Sequence, residues 1–390
     1  MTTKVLHPIT RLIIGGAQEN TMLTAQLLDK AQWDVEIVAG PQTGSEGSLI
    51  EAVQERGISL ILEPTMVREL NPIKDLLALI RLTQIMRRGR YTIVHTHSSK
   101  AGILGRWAAK LAGVPIIVHT VHGWAHHERQ HPLLRAYYIL LEKLTLPITD
   151  QMIAVTSKDI DKGLHDGIGQ SANYLIIRSG IELERFGHPQ VPREATRAAW
   201  GIPQEATVVG SVTRLSPQKA PLDFVQAAAL VARDYPDTYF VMVGDGPLRQ
   251  EVEALATQLG IADRLVLTGL RRDVPELLAA FDLFALSSLW EGLPRVLPQA
   301  MATSLPIVAT ACDGSAEAIE EGVNGFLVPP GEPAVLAQRL CQLIAQPRLA
   351  QQMGAAGYAR VQEFSDRGMV SAIANLYTKL LAAKGIVTVR

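Results

Sequence analysis

Phe281-Asp282-Leu283-Phe284-Ala285-Leu286-Ser287-Ser288-Leu289-Trp290-Glu291-Gly292-Leu293-Pro294-Arg295-Val296-Leu297-Pro298-Gln299-Ala300 changes character twice. The apolar run 281–286 reads as a buried strand, and 296–303 reads as a helix. Glu291 stands on the turn between them, and Gln299 follows near the first helical turn. Turns at the carboxyl ends of parallel strands are where open α/β sheets bind ligands. Proline fits a helix only where its missing N–H would be unpaired anyway, so Pro298 places the helix start no earlier than about Arg295. The amides near Arg295, Val296 and Leu297 are then expected to be free, forming an anion-binding end beside a carboxylate.

The same alternation of short apolar runs and helical patterns extends outward through the chain, the mark of parallel-sheet α/β domains. The first half predicts strands over 5–9, 35–39, 59–62, 93–95, 116–119, 152–155 and 175–177. The second predicts them over 207–212, 239–243, 265–268, 283–286 and 307–309. Intervening helices include 17–30, 71–88, 221–235, 247–259 and 274–280. After Pro347 the chain reads as helical to about Ala383, with a break near 364–366. Phe186-Gly187-His188-Pro189-Gln190-Val191-Pro192 is a Pro-containing link. The expected division is therefore a domain over 1–188, a second over 189–365, and a final helix over 366–390. Two doubly wound domains joined in this way imply a ligand cleft between them.

Bulk composition excludes several classes. A chain of 390 residues, 47% hydrophobic and 19% charged, fits a large globular protein of two or three domains. A net charge of −1 gives no broad attraction to polyanions, so no nucleic-acid partner is expected. Cys312 and Cys341 show no metal or redox spacing and sit in apolar surroundings, which suits a reducing cytoplasm. The first residues make a poor export signal, and no run of about 18 uncharged apolar residues is present.

Several motifs bear on chemistry. Gly15-Gly16-Ala17-Gln18 lies between the first strand and first helix, where glycine backbone can approach a phosphate. It equally fits a plain tight turn, and it is not a dinucleotide fingerprint. In 210–221, Arg214 and Lys219 precede Pro221 at a helix start; two cations there suit a diphosphate. Gly244-Asp245-Gly246-Pro247 is explained by turn geometry. The histidines His95, His97, His119, His122, His126, His127 and His131 cluster in sequence, but without an HExxH-like frame, and no metal site is expected. Of these, His122 before Gly123 is best placed to face a ligand. The segment 133–144, flanked by Arg129, Arg135 and Lys143, and the basic group Arg81, Arg87, Arg88 and Arg90 fit either an anionic membrane surface or core helices with solvated ends.

Taken in order, these residues resemble a known family. They are Gly15-Gly16-Ala17, His95-Thr96-His97-Ser98-Ser99-Lys100-Ala101-Gly102, His119-Thr120-Val121-His122-Gly123, Ser179-Gly180-Ile181, Arg214 with Lys219, Gly244-Asp245-Gly246-Pro247, and Glu291-Gly292-Leu293-Pro294. The chain resembles the GT-B-fold retaining glycosyltransferases of family 4 over essentially its whole length, especially bacterial enzymes that assemble polysaccharides or lipid-linked glycans. The resemblance implies two Rossmann-like domains facing each other across a cleft. The C-terminal domain would bind a nucleotide sugar, usually a UDP-sugar, and the N-terminal domain a glycan or polyprenyl-linked acceptor. It implies that Arg214 and Lys219 neutralise the diphosphate, helped by amides at Gly16 and near Arg295 and Val296. Glu291 would bond the transferred sugar, and His122 would contact that sugar. It also implies no essential metal or separate cofactor, and a last helix crossing back to the first domain. The cysteines and the basic apolar segments above add the expectation of a cytoplasmic enzyme in peripheral contact with the inner membrane. One position departs from the family pattern. Gln299 stands where a second glutamate usually accepts hydrogen bonds from the ribose, and a neutral bond in its place is weaker by on the order of 1 kcal/mol. That departure leaves one alternative beside transfer, a non-catalytic nucleotide-sugar-binding subunit; the shared architecture leaves another, a nucleotide-sugar 2-epimerase.

Overall fold

A computed structural model describes residues 2–42, 47–126, 130–312 and 314–386. Residues up to Gly180, together with those from Asp366 onward, form one compact unit; Ile181–Ser365 form the other. His127 and Arg129 lie outside the described residues.

The first unit holds β1 (Thr3–Arg11), β2 (Trp33–Gly40), β3 (Ser59–Leu62), β4 (Ile93–His97), β5 (Ile116–Val121), β6 (Gln151–Ala154) and β7 (Tyr174–Ile176). They pair in parallel in the order β3-β2-β1-β4-β5-β6-β7. The second unit holds β8 (Thr207–Val212), β9 (Thr238–Val243), β10 (Leu265–Gly269), β11 (Leu283–Leu286), β12 (Ile307–Thr310) and β13 (Gly325–Val328), ordered β10-β9-β8-β11-β12-β13, again parallel. Each sheet is wound in two directions from its middle. The strand order reverses between β1 and β4 in one unit, and between β8 and β11 in the other. Central strands of such sheets are covered on both faces, which is why they read as nearly unbroken apolar runs.

The final helix, Asp366–Ala383, belongs to the first unit. Its buried residues Met369, Val370, Ile373, Leu376, Tyr377 and Leu381 recur at three- and four-residue steps and pack with Val5, Ile93, Val118 and Ile153. The core of the second unit is built from Val209, Phe240, Met242 and Val308 under Phe224, Val231 and Leu340.

Two sequence expectations need correction. The units divide at Gly180–Ile181, ahead of the expected 188–189 boundary. The reason is local: the Ile181 amide donates to the Phe364 carbonyl at 2.9 Å, and the side chain of Phe186 in the helix Leu183–Gly187 is buried. The Pro-containing stretch thus follows a segment already packed into the second unit. Strand β13 was not anticipated; it opens with Gly325 directly after Asn324, a pair that reads as a turn.

Candidate active site

In the second unit, two loops meet where the strand order reverses. One leaves β8 and carries Arg214 and Lys219; the other leaves β11 and carries Glu291. This is the crevice at which doubly wound sheets bind ligands. The loops are joined bond by bond. The Leu289 amide donates to the Gln218 carbonyl at 2.8 Å, and Gln218 Nε2 donates to the Trp290 carbonyl at 2.9 Å. Ser287 Oγ reaches the carbonyls of Lys219 (3.0 Å) and Ala220 (2.9 Å). Ala220 is left-handed, with φ of 43°, an unfavourable state for a residue with a Cβ, and this turns the chain into the helix Pro221–Asp234.

These bonds bring the two predicted residues together. Lys219 Nζ donates to Glu291 Oε1, which also accepts from Ser288 Oγ at 2.7 Å. The Glu291 side chain is 7% exposed and that of Lys219 is 21% exposed, so the pair is sheltered but reachable. Arg214 is exposed on the same loop. Its position is set by glycines of the neighbouring turn. Gly244 has φ of 134°, and a Cβ there would lie 2.0 Å from the Thr213 carbonyl oxygen; at Gly246 it would lie 2.3 Å from that of Leu215. The structural reading of Gly244-Asp245-Gly246-Pro247 therefore holds, with the consequence that the turn supports the Arg214 loop.

The helix after Glu291 runs over Val296–Ala302, with Arg295 buried at its cap position. Pro298 falls in its first turn, as its missing N–H requires. The expectation of three free amides is corrected at Leu297, whose N–H donates to the Pro294 carbonyl at 2.9 Å. Gln299 is half-buried on the same helix.

Gly16 and His122 belong to the first unit. Gly16 is exposed and opens the helix Gly16–Leu27. His122 is half-buried and ends a line of hydrogen-bonded rings. Its Nε2 is 3.1 Å from His97 Nδ1, and His97 Nε2 is 2.9 Å from His7 Nδ1. His7 Nε2 is 3.4 Å from the Tyr377 hydroxyl, which lies 2.6 Å from His95 Nδ1; His95 Nε2 meets Thr120 Oγ1 at 2.7 Å. Burial holds His7 down to about 3, and pushes His95 and His97 well below the usual histidine range. These rings are neutral at pH 7, each donating through one nitrogen and accepting through the other. One ring nitrogen from each of His7, His95 and His97 lies within 4.8 Å of the others, close enough to consider a metal ion. All six nitrogens of these rings are already engaged in the bonds just described, so an ion would have to displace them. His7 was missed in the sequence because only the pairing of β1 with β4 brings it beside His95. Ser288 and Gln218 were missed too, since hydroxyl and amide side chains carry no distinctive spacing.

Two doubly wound parallel-sheet units make this a two-domain, Rossmann-like α/β fold, the architecture of the GT-B class. Comparison with known proteins agrees. Residues 14–185 match the family Glycosyltransferase Family 4, and residues 192–360 match Glycosyl transferases group 1. An Escherichia coli UDP-Gal:α-D-GlcNAc-diphosphoundecaprenol α-1,3-galactosyltransferase is 33% identical over 328 residues, covering 83% of this chain and 84% of that protein. A D-inositol 3-phosphate glycosyltransferase of Streptomyces griseus is 30% identical, covering 76% of this chain and 68% of its own. The crystal structure of Anabaena HepE with UDP and glucose shares the fold, with a TM-score of 0.82, 23% identity, and coverage of 97% of this chain and 100% of that one. The chain belongs to glycosyltransferase family 4, and it is a glycosyltransferase of the kind that acts in glycan synthesis.

Proposed function

We propose that the protein moves a hexose-type sugar from a UDP-sugar, with retention and without metal or separate cofactor, to a glycan or polyprenyl-linked acceptor in cell-surface polysaccharide synthesis. The observation that carries this reading is the joining of the Lys219 and Glu291 loops where the second sheet reverses. Transfer breaks the bond between the sugar C1 and the β-phosphate oxygen and forms one from the acceptor hydroxyl to C1. The acceptor proton passes to the leaving phosphate oxygen, so no side-chain base is assigned. Lys219 and Arg214 stabilise the charge as it develops, and the amides at Arg295 and Val296 assist. Glu291 holds the transferred sugar, and Gln299 the ribose. For Gly16, an amide to the diphosphate, and His122, a contact to the sugar, the reading rests on family resemblance alone.

The donor and acceptor classes draw support from relatives: HepE has been crystallised with UDP, and the E. coli enzyme acts on a diphosphoundecaprenol. Among the described residues no helix is long and apolar enough to cross a membrane. The proposed station is peripheral, on the cytoplasmic face of the inner membrane. Its support is the exposed apolar residues of the helices Pro72–Gly89 and Pro132–Thr145, led by Ile73 (74% exposed) and Leu133 (76%), with Arg81, Arg87, Arg88 and Lys143 on the same two helices.

A UDP-sugar panel read for UDP release tests the reading. One donor should turn over, and Lys219→Ala and Glu291→Ala should each lower kcat/KM on the order of a hundredfold or more. Unchanged turnover in either variant removes that residue from the site.

A further inference from the structure

We infer that a line of buried hydrogen bonds, running back from His122 to Thr120, fixes which nitrogen of His122 carries its proton, and that the proton sits on Nδ1. Thr120, Tyr377 and the rings between them are then positioning residues for His122. The inference deepens the proposed contact of His122 with the sugar and rests on that reading.

Sheet register builds the line. Pairing of β1 with β4 sets His7 beside His95, and His97 stands opposite Thr120 across the β4–β5 ladder. Tyr377 of the last helix places its hydroxyl between His7 and His95. Followed from one end, Thr120 Oγ1 meets His95 Nε2, and His95 Nδ1 meets the Tyr377 hydroxyl. That hydroxyl meets His7 Nε2, His7 Nδ1 meets His97 Nε2, and His97 Nδ1 meets His122 Nε2. Every member before His122 is buried.

Each of those members has one proton to give. A neutral imidazole carries it on one nitrogen and a lone pair on the other, and each hydroxyl carries one. A link with two protons, or with none, is a buried hydrogen bond left unmade. The protons therefore order together, all pointing toward His122 or all pointing away from it. In the first order the four rings carry their protons on Nδ1, and His122 accepts at Nε2. In the second all four carry them on Nε2.

Thr120 decides between the two. Among the described residues, His95 Nε2 is the one hydrogen-bond partner of its hydroxyl. Donating into the line satisfies that hydroxyl, whereas accepting from the line leaves its proton buried with no acceptor. The first order is thereby favoured roughly fivefold or more. Burial supports it by keeping His7, His95 and His97 uncharged, since a ring with two protons would break the sequence. His122 then offers an N–H at Nδ1. Its match in a ligand is an acceptor oxygen, as sugar hydroxyls and phosphates supply.

Two-bond proton–nitrogen spectra of the full chain, with isotope-labelled histidine, read this directly, because a bare ring nitrogen resonates well apart from a protonated one. His122→Gln identifies the His122 signals by their loss. Wild type should show the His122 proton on Nδ1, with less than about a fifth on Nε2. Thr120→Val removes the deciding hydroxyl, and Tyr377→Phe cuts the line at its middle. Each should raise the Nε2 share of His122 to about half or more, and Thr120→Ser should restore the wild-type spectrum. On a donor that turns over, Thr120→Val should lower kcat/KM about twofold and Thr120→Ser should not. Melting curves verify the fold of each variant, and either deletion alone carries the test. The inference is overturned if His122 holds its proton on Nε2 in wild type, or if a folded Thr120→Val or Tyr377→Phe keeps the wild-type tautomer. Absence of turnover with every UDP-sugar, with the spectra as stated, would strike the transfer reading and leave this one standing.

Discussion

At the scale of single residues, the Lys219–Glu291 pair is asymmetric. Lys219 is the more exposed partner, and water can replace Glu291 if the acid is removed. Glu291 is nearly buried, and removing Lys219 takes away the cation that neutralises it. A sheltered carboxylate loses more by this than an exposed ammonium does by losing its acid. Lys219→Ala should therefore lower both turnover and the melting temperature, whereas Glu291→Ala should lower turnover with a smaller thermal effect, that of the buried Ser288 hydroxyl losing its acceptor. Calorimetry of the two variants separates these outcomes, and equal melting shifts would contradict the asymmetry. Gln299 poses the complementary question. If its amide meets the ribose, Gln299→Glu should tighten UDP binding about five- to tenfold by restoring a charged hydrogen bond. An unaltered Kd by titration calorimetry would place the ribose elsewhere. Both residues were visible in the sequence because the turn between strand and helix marks them. Their mutual bond was not, because Lys219 and Glu291 lie on loops that meet only when β8 pairs with β11.

At the scale of elements, legibility followed length and environment. Runs such as 207–212 and 283–286 coincide with β8 and β11 because a strand covered on both faces is apolar throughout. β13 is no shorter than β11, but it opens with Gly325 directly after Asn324, a pair that reads as a turn. The helix Pro132–Thr145 was ambiguous for a different reason: its composition suits a core as well as a surface. The structure leaves Leu133, Tyr137, Leu140 and Leu144 exposed, so its apolar stripe is not spent on the core of this unit. Charge and apolar area together predict binding to vesicles of phosphatidylglycerol and phosphatidylethanolamine. Burying a Leu or Ile side chain is worth about 1.5–3 kcal/mol, so Ile73→Asp with Leu133→Asp should reduce co-sedimentation more than about tenfold. The double variant should retain transfer to a short soluble acceptor. Failure of wild type to sediment with such vesicles would reject the membrane station and leave the apolar stripe to some other partner.

At the scale of the whole molecule, buried histidines are confined to the first unit. His7, His95, His97, His119 and His126 all fall before Gly180, and all are held below the usual histidine range, chiefly by burial. For His7 the value is about 3, and for His126 about 4, where Asp166 only partly offsets the desolvation. In the unfolded chain each returns to about 6.5. The native state therefore binds fewer protons than the unfolded state below that pH, and stability is lost as pH falls from about 6.5 toward 4. Each such histidine contributes up to about 1.4 kcal/mol per pH unit over that interval. Several together approach the whole stability of a domain, about 5–15 kcal/mol. Acidification from pH 7 to 5 should therefore open the first unit, with Tyr377 and the last helix among its packed members, before the second. Hydrogen exchange on the full chain, followed by mass spectrometry of peptides from both units, reads this directly. Protection should fall first in peptides from β1, β4, β5 and 366–383, while those from β8, β9 and β11 hold. Loss of protection in both units at the same pH would show that they unfold as one, and that the histidines do not set the order.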